Sequence, residues 1–228
     1  MKTLHALLLS LGVTALGIAA PAPASATVVD QQFTTTGPVD SNTATGVTFA
    51  AMAQTFTVGV TGLLAAVELY VLRTGGTTGD LTVDIRGLVS GGAPEPLAAN
   101  ALGSTTLANA DVPVRPSTTP YGFAPILIDL TAANIAVTAG QILAIGVSSA
   151  AGEFFVFQTD YSNGYAGGGL WTQSSDGLAF SPTTSDFSFT TYVNTGTSVP
   201  EPGTLGLLVV GLTGLGWAHR RRGRAARA

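Results

Sequence analysis

The chain has 228 residues, no cysteine, two histidines and a formal net charge of −4. Both histidines, His5 and His219, and the single lysine, Lys2, lie near the ends. The body between them therefore has no imidazole, thiol or lysine amine, which excludes Ser-His-Asp and Cys-His catalysis and zinc centres built on His or Cys.

From the start, Met1 to Ala26 reads as an export signal. Lys2 supplies the positive region, Leu4 to Ala20 is apolar without an acid, and Ala24-Ser25-Ala26 offers the small side chains a signal peptidase accepts. Cleavage is expected after Ala26. The alternative is a retained anchor helix, against which stand the short apolar core and the cleavage pattern. Removing both ends uncovers the charge of the body. Between residues 27 and 198, three arginines (Arg73, Arg86, Arg115) face twelve carboxylates, a net charge of −9. Nucleic acid, which needs clustered Lys or Arg, is not an expected partner.

Thr27 to Phe49 is rich in Thr, Ser and Gly, with an edge strand expected at Val28-Val29. Period-2 alternation then marks strands at Gln54 to Val58, Val67 to Val71 and Leu81 to Arg86, with a glycine-rich turn at 75–80. Ser90 to Pro125 is looser and proline-rich, with a strand expected at Leu102 to Leu107 and a short turn at Ala108 to Val112. Further strands are expected at Ile126 to Leu130, Leu143 to Val147, Phe154 to Thr159, Leu170 to Thr172 and Phe187 to Val193. Eight or nine short strands and no amphipathic helix predict an all-β antiparallel sandwich over 27–193. A jelly-roll of two four-stranded sheets is preferred, with a barrel as runner-up. Residues 194–198 read as a polar linker.

The remaining segment, 199–228, has three parts in order. Val199, Pro200, Glu201 and Pro202 form an extended, proline-held piece. Thr204 to Ala218 is uncharged and contains four glycines, which makes it a short, marginal membrane helix. Arg220, Arg221, Arg222, Arg224 and Arg227 then stop transfer and fix a cytoplasmic end. The alternative is a buried C-terminal helix of the domain, which suits the arginines less well.

That trio closely resembles the PEP-CTERM sorting signal. The resemblance implies an exosortase that cleaves near Pro200-Glu201-Pro202, a chain held in the inner membrane by its helix before that cut, and delivery to the bacterial cell surface or matrix. Pro94-Glu95-Pro96 repeats the tripeptide without an apolar segment after it, and reads as a loop. The body resembles carbohydrate-binding-like jelly-roll passengers in three pieces: Gln54 to Thr57, Thr78 to Arg86, and Asp186 to Val193. This likeness implies extracellular polysaccharide as a partner.

The densest polar-aromatic cluster is Asp160 to Tyr165, then Gly167-Gly168-Gly169 and Trp171. Tyr161, Asn163, Tyr165 and Trp171 are the candidate sugar-binding residues, since rings stack on the apolar faces of sugars and carboxamides bond their hydroxyls. The plainer reading is a strand–turn–strand connection with Asn163-Gly164 at the turn and Trp171 in the core. No cofactor or metal is expected. Calcium takes oxygen ligands only and has Asp160, Asp176 and Asp186 as loose candidates, without EF-hand spacing. Asp129 and Glu153 are the acids a carboxylate-only glycosidase would need, with nothing to pair them. The threonine clusters lack the repeat that ice binding would need. The expected function is therefore a non-enzymatic, exported surface or matrix protein, binding polysaccharide or serving as structure alone.

Overall fold

The computed structural model describes residues 25–34, 51–118, 121–149, 155–157, 159–160 and 164–198. The expected signal core and the sorting segment beyond Ser198 lie outside them. The described residues fall within one unit, Ser25–Val199.

The strands are β1 (Ser25–Phe33), β2 (Met52–Thr57), β3 (Gly62–Arg73), β4 (Leu81–Arg86), β5 (Gly103–Leu107), β6 (Pro125–Asp129), β7 (Ile135–Val137), β8 (Ile142–Ser149), β9 (Phe155–Phe157), β10 (Thr159–Asp160), β11 (Leu170–Gln173), β12 (Phe180–Pro182), β13 (Asp186–Phe187) and β14 (Phe189–Ser198). Helix is confined to three 3-10 turns among the described residues. The fold is all-β with antiparallel strand pairs, as the alternation predicts. The first sheet has the order β1-β14-β3-β6, with β7 and β9 also on β3; the second has the order β12-β11-β2-β8-β4-β5. Four pairs nest along the chain and alternate between the sheets: β1 with β14, β2 with β8, β3 with β6, and β4 with β5.

Alternation sets what each strand buries. In β4, Leu81, Val83 and Ile85 enter the core; in β8, Leu143, Ile145 and Val147 do the same. They share one hydrophobic cluster with Leu69 and Val71 of β3, Ile128 of β6, and Phe189 and Val193 of β14. Leu64 and Val67 both belong to that cluster although they are three apart. A register shift opposite Tyr192 and Val193 inserts an extra residue there, the effect of a β-bulge on a period of two.

The sequence reading departs from the structure in three respects, the first being that each of the two main sheets has six strands where two sheets of four were expected. It omits β7 and β12, which are three residues long and too short to show a period. It also takes residues 194–198 for a linker, whereas they continue β14 and pair with β1, with Asn194 opposite Thr27 and Ser198 opposite Ser25. Threonine is a good strand former, so a short polar run can still extend a strand.

Candidate functional site

The outward half of β4 is Thr82, Asp84 and Arg86. On a sheet face these would be solvated, yet Asp84 and Arg86 are each 1% exposed. The segment that follows β4 folds back over them. Arg86 grips Asp84 with two hydrogen bonds, Nε to Oδ1 at 2.6 Å and Nη2 to Oδ2 at 2.7 Å. Its Nη1 donates to the carbonyls of Glu95 (3.0 Å) and Pro96 (3.1 Å). The guanidinium also lies over the Phe180 ring, 5.5 Å from its centre. Gln173 Nε2 adds bonds to Pro96 O at 2.6 Å and Gly177 O at 2.8 Å. Pro94-Glu95-Pro96 is thus part of a cover strapped onto the second sheet. Beside it, Ala51, Ala53, Ala144 and Phe180 form a small second core against which Trp171 packs. This face is closed.

Of the four candidate sugar residues, Tyr161 and Asn163 lie outside the described residues. Tyr165 has its ring in the main core, 8% exposed, tilted against Phe33 at 5.8 Å and edge-on to Phe189 at 5.1 Å. Its hydroxyl donates to Gln31 Oε1 at 3.1 Å, and burial above all raises its pKa. Trp171 is half-buried on the outer side of the second sheet, opposite Ala53 and Pro182. The two aromatics belong to different clusters, on opposite sides of the same sheet. The triple glycine between them has a packing role. Thr55 donates to Gly169 O from its backbone N–H (2.9 Å) and its hydroxyl (3.0 Å). A Cβ on Gly168 would stand 2.0 Å from Thr55 O, so only glycine lets the chain pass this close.

The carboxylates occupy three settings. Asp186 is fully buried and accepts from Gln54 Nε2 at 2.8 Å and from the Tyr165 N–H at 3.0 Å. The register places Asp160 directly opposite Asp186. Asp176 is exposed in the 174–178 turn, and its pKa is lowered by the Ser174 hydroxyl first and the Leu178 N–H second. Asp129 is also exposed, with its pKa lowered by hydrogen bonds from Thr131; Glu153 lies outside the described residues. Among the described residues no group of three or more His, Cys, Asp or Glu is placed to hold a metal ion.

The outer face of the first sheet has a different character. Outward positions form rows across β1, β14, β3 and β6. One row is Val29, Tyr192, Ala66 and Asp129; the next is Gln32, Thr190, Glu68 and Leu127; Tyr70 and Pro125 follow. Tyr192, Glu68 and Tyr70 are half-buried. Leu127 and Val29 are 61% and 53% exposed. The Tyr192 pKa is raised, first by loss of water and then by its hydrogen bond to the Glu68 carboxylate. Between Gln32 and Glu68, the Thr190 hydroxyl is buried and has no partner among the described residues. This face therefore carries two phenol rings, a carboxylate and the Gln32 carboxamide, with the unspent Thr190 hydroxyl buried beneath them. The sequence reading passed over it, because Glu68, Tyr70 and Tyr192 look like the ordinary polar half of alternating strands. The available signal was two tyrosines at outward positions, but only the pairing of β3 with β14 brings them together.

The last strand ends at Ser198. Residues 198–222 match the family model described as the PEP-CTERM protein-sorting motif. The chain thus carries the address of an exported protein of the bacterial cell surface, processed by an exosortase, and its passenger is an antiparallel β domain. Comparison with curated proteins gives no match. Among the described residues no helix is long and apolar enough to cross a membrane; the expected membrane segment, 204–218, is not among them.

Proposed function

We propose that this is a non-enzymatic surface or matrix protein whose jelly-roll sandwich binds extracellular polysaccharide after export. The sandwich is inferred from the nested pairs of strands and the core that both sheets share. The sorting match at 198–222 supports the route. A signal peptidase removes residues 1–26, the 204–218 segment holds the chain in the inner membrane, Arg220, Arg221, Arg222 and Arg224 stop transfer, and an exosortase cuts near Pro200-Glu201-Pro202. Intact mass of the protein recovered from the surface or medium tests this route. The expected species starts at Thr27 and ends near the Pro-Glu-Pro motif. A species that still contains Trp217 and the arginines means the tail is a permanent anchor.

The observation that carries polysaccharide binding is the open face with Tyr192, Glu68 and Tyr70. Rings at half exposure offer stacking surfaces to sugar C–H faces, and the groups between them can bond hydroxyls. Trp171, half-buried on the other sheet, is a secondary contact, as are Tyr161 and Asn163. Native gels cast with neutral polysaccharides test the face. Tyr192→Ala and Tyr70→Ala are expected to weaken retardation by up to about tenfold, the loss of one stacking contact of roughly 0.5–1.5 kcal/mol, in variants that still unfold cooperatively. Equal retardation of wild type and both variants removes this face. No retardation of wild type by any polymer leaves the purely structural role.

A further inference from the structure

The two ends of the body meet. β1 runs along β14 so that Thr27 stands opposite Asn194 and Ser25 opposite Ser198. Between these pairs the register jumps: Ala26 alone faces Thr195, Gly196 and Thr197, a bulge that Gly196 permits with its φ of 63°. The Thr195 hydroxyl donates to Ala26 O at 3.5 Å. On its other side β14 pairs with β3 as far as Asn194 opposite Leu63. The contact there is tight, since a Cβ on Gly62 would stand 2.2 Å from Asn194 O. Among the described residues, strand pairing therefore reaches 195–198 only through Ser25 and Ala26.

Ser25 and Ala26 are also the last two residues that a cut after Ala26 removes. Once they are gone, Thr27 is the first residue. It still faces Asn194 and donates its hydroxyl to Asn194 Oδ1, so β14 keeps its partners up to that point, and residues 195–198 lose theirs. The difference in reach is large. Pro200 lies two residues beyond Ser198 but six beyond Asn194. An extended chain carries it at most about 7 Å from the sheet in the first case and about 21 Å in the second. A protease that takes its substrate as an extended strand needs free backbone around the cut, and 7 Å is less than the ~10 Å that separates two packed sheets.

We infer that removal of the signal releases residues 195–198 from β1 and so opens the Pro200-Glu201-Pro202 segment to the exosortase: strand pairing sets the order of the cuts, signal first and tail second. This rests on the processing route above. A chain emerges N-terminus first, so prompt signal cleavage precedes the folding of β14, whereas a chain that escapes it folds with its tail held. The test uses the full chain in an exosortase-bearing bacterium, with pulse-chase labelling and intact mass reading both ends. Ala24→Gln puts a large side chain where the signal peptidase accepts small ones and leaves Ser25 and Ala26 in place. This variant is expected to lose its tail at least about tenfold more slowly than wild type, the effect of a pairing of about 1.4 kcal/mol. The same variant with a flexible Gly-Ser insert of about six residues between Ser198 and Val199 regains reach without release, and should be cut at the wild-type rate with its signal still attached. An Ala24→Gln chain that keeps its signal and loses its tail at the wild-type rate overturns the coupling. So does an insert that fails to restore cutting, because the retained signal itself, and not the strand, then holds the tail back. A wild-type chain that keeps its own tail overturns the processing route, and the coupling with it.

Discussion

Replacing Arg86 by alanine is expected to lower the stability of the domain by about 3–5 kcal/mol, the usual cost of leaving one half of a buried ion pair alone. Asp84 would remain as a carboxylate at 1% exposure with its two guanidinium bonds gone. The carbonyls of Glu95 and Pro96 would lose their Nη1 donor, and the Phe180 ring its cation. Because these carbonyls belong to the segment that covers the second sheet, the cover loosens together with the pair. Against a total of roughly 5–15 kcal/mol for a domain, this is a large fraction. Urea unfolding followed by tryptophan fluorescence measures it, and Trp171 packs beside the site. Asp84→Ala combined with Arg86→Met should cost less than the sum of the single changes, since neither charge is then stranded. Gly146→Ala attacks the same pair sterically, because its Cβ would stand 2.0 Å from Asp84 Oδ1. An Arg86→Ala variant within 1 kcal/mol of wild type on the same scale would mean the pair contributes little beyond filling space.

Asp84 and Arg86 also mark where the sequence stops being legible. Alternation in β4 correctly divides Leu81, Val83 and Ile85 from Thr82, Asp84 and Arg86, but it cannot tell a solvated outer face from a covered one. The cover is the proline-rich stretch after β4, and a loop with no period gives no sign of where it lies. The same limit explains the aromatics. Tyr165 and Trp171 are six residues apart in a polar, glycine-rich setting and read as one cluster. The chain crosses between them from the core to the outer side of β11, so one ring packs with Phe189 and the other with Phe180. The Tyr192, Glu68 and Tyr70 face went unread for the opposite reason: each residue is unremarkable on its own strand, and their proximity depends on a long-range pairing. The sorting segment was legible because its signal is entirely local: two prolines, an uncharged run and an arginine cluster in fixed order.

Asp186 is expected to be the most sensitive single carboxylate after Asp84, and the reason lies in the direction of its hydrogen bonds. The Phe187 N–H donates to Gln54 Oε1 at 3.1 Å, Gln54 Nε2 donates to Asp186 Oδ1 at 2.8 Å, and the Tyr165 N–H donates to Asp186 Oδ2 at 3.0 Å. A backbone donor closes each end, so the side chains between them must supply acceptors at both ends. Gln54 presents its oxygen to Phe187, which leaves only its amide hydrogens for residue 186. Residue 186 must then accept on both of its oxygens, and of the two isosteres only the carboxylate does so. Asp186→Asn puts an NH2 against either the Gln54 amide or the Tyr165 N–H, a donor facing a donor in a dry site, at a cost of about 1–3 kcal/mol. Asp186→Ala strands both donors and is expected to cost about 2–5 kcal/mol in all. Phe187 follows directly and stacks on Phe157 at 5.5 Å, so the near-ultraviolet circular dichroism of the aromatic core should weaken along with the melting temperature. The ordering of the two variants is the discriminating result. If Asp186→Asn melts with the wild-type protein while Asp186→Ala does not, the site requires only a filled volume with one acceptor. If both fall, Ala below Asn, the buried charge is there because two backbone N–H groups leave the chain no other way to be satisfied.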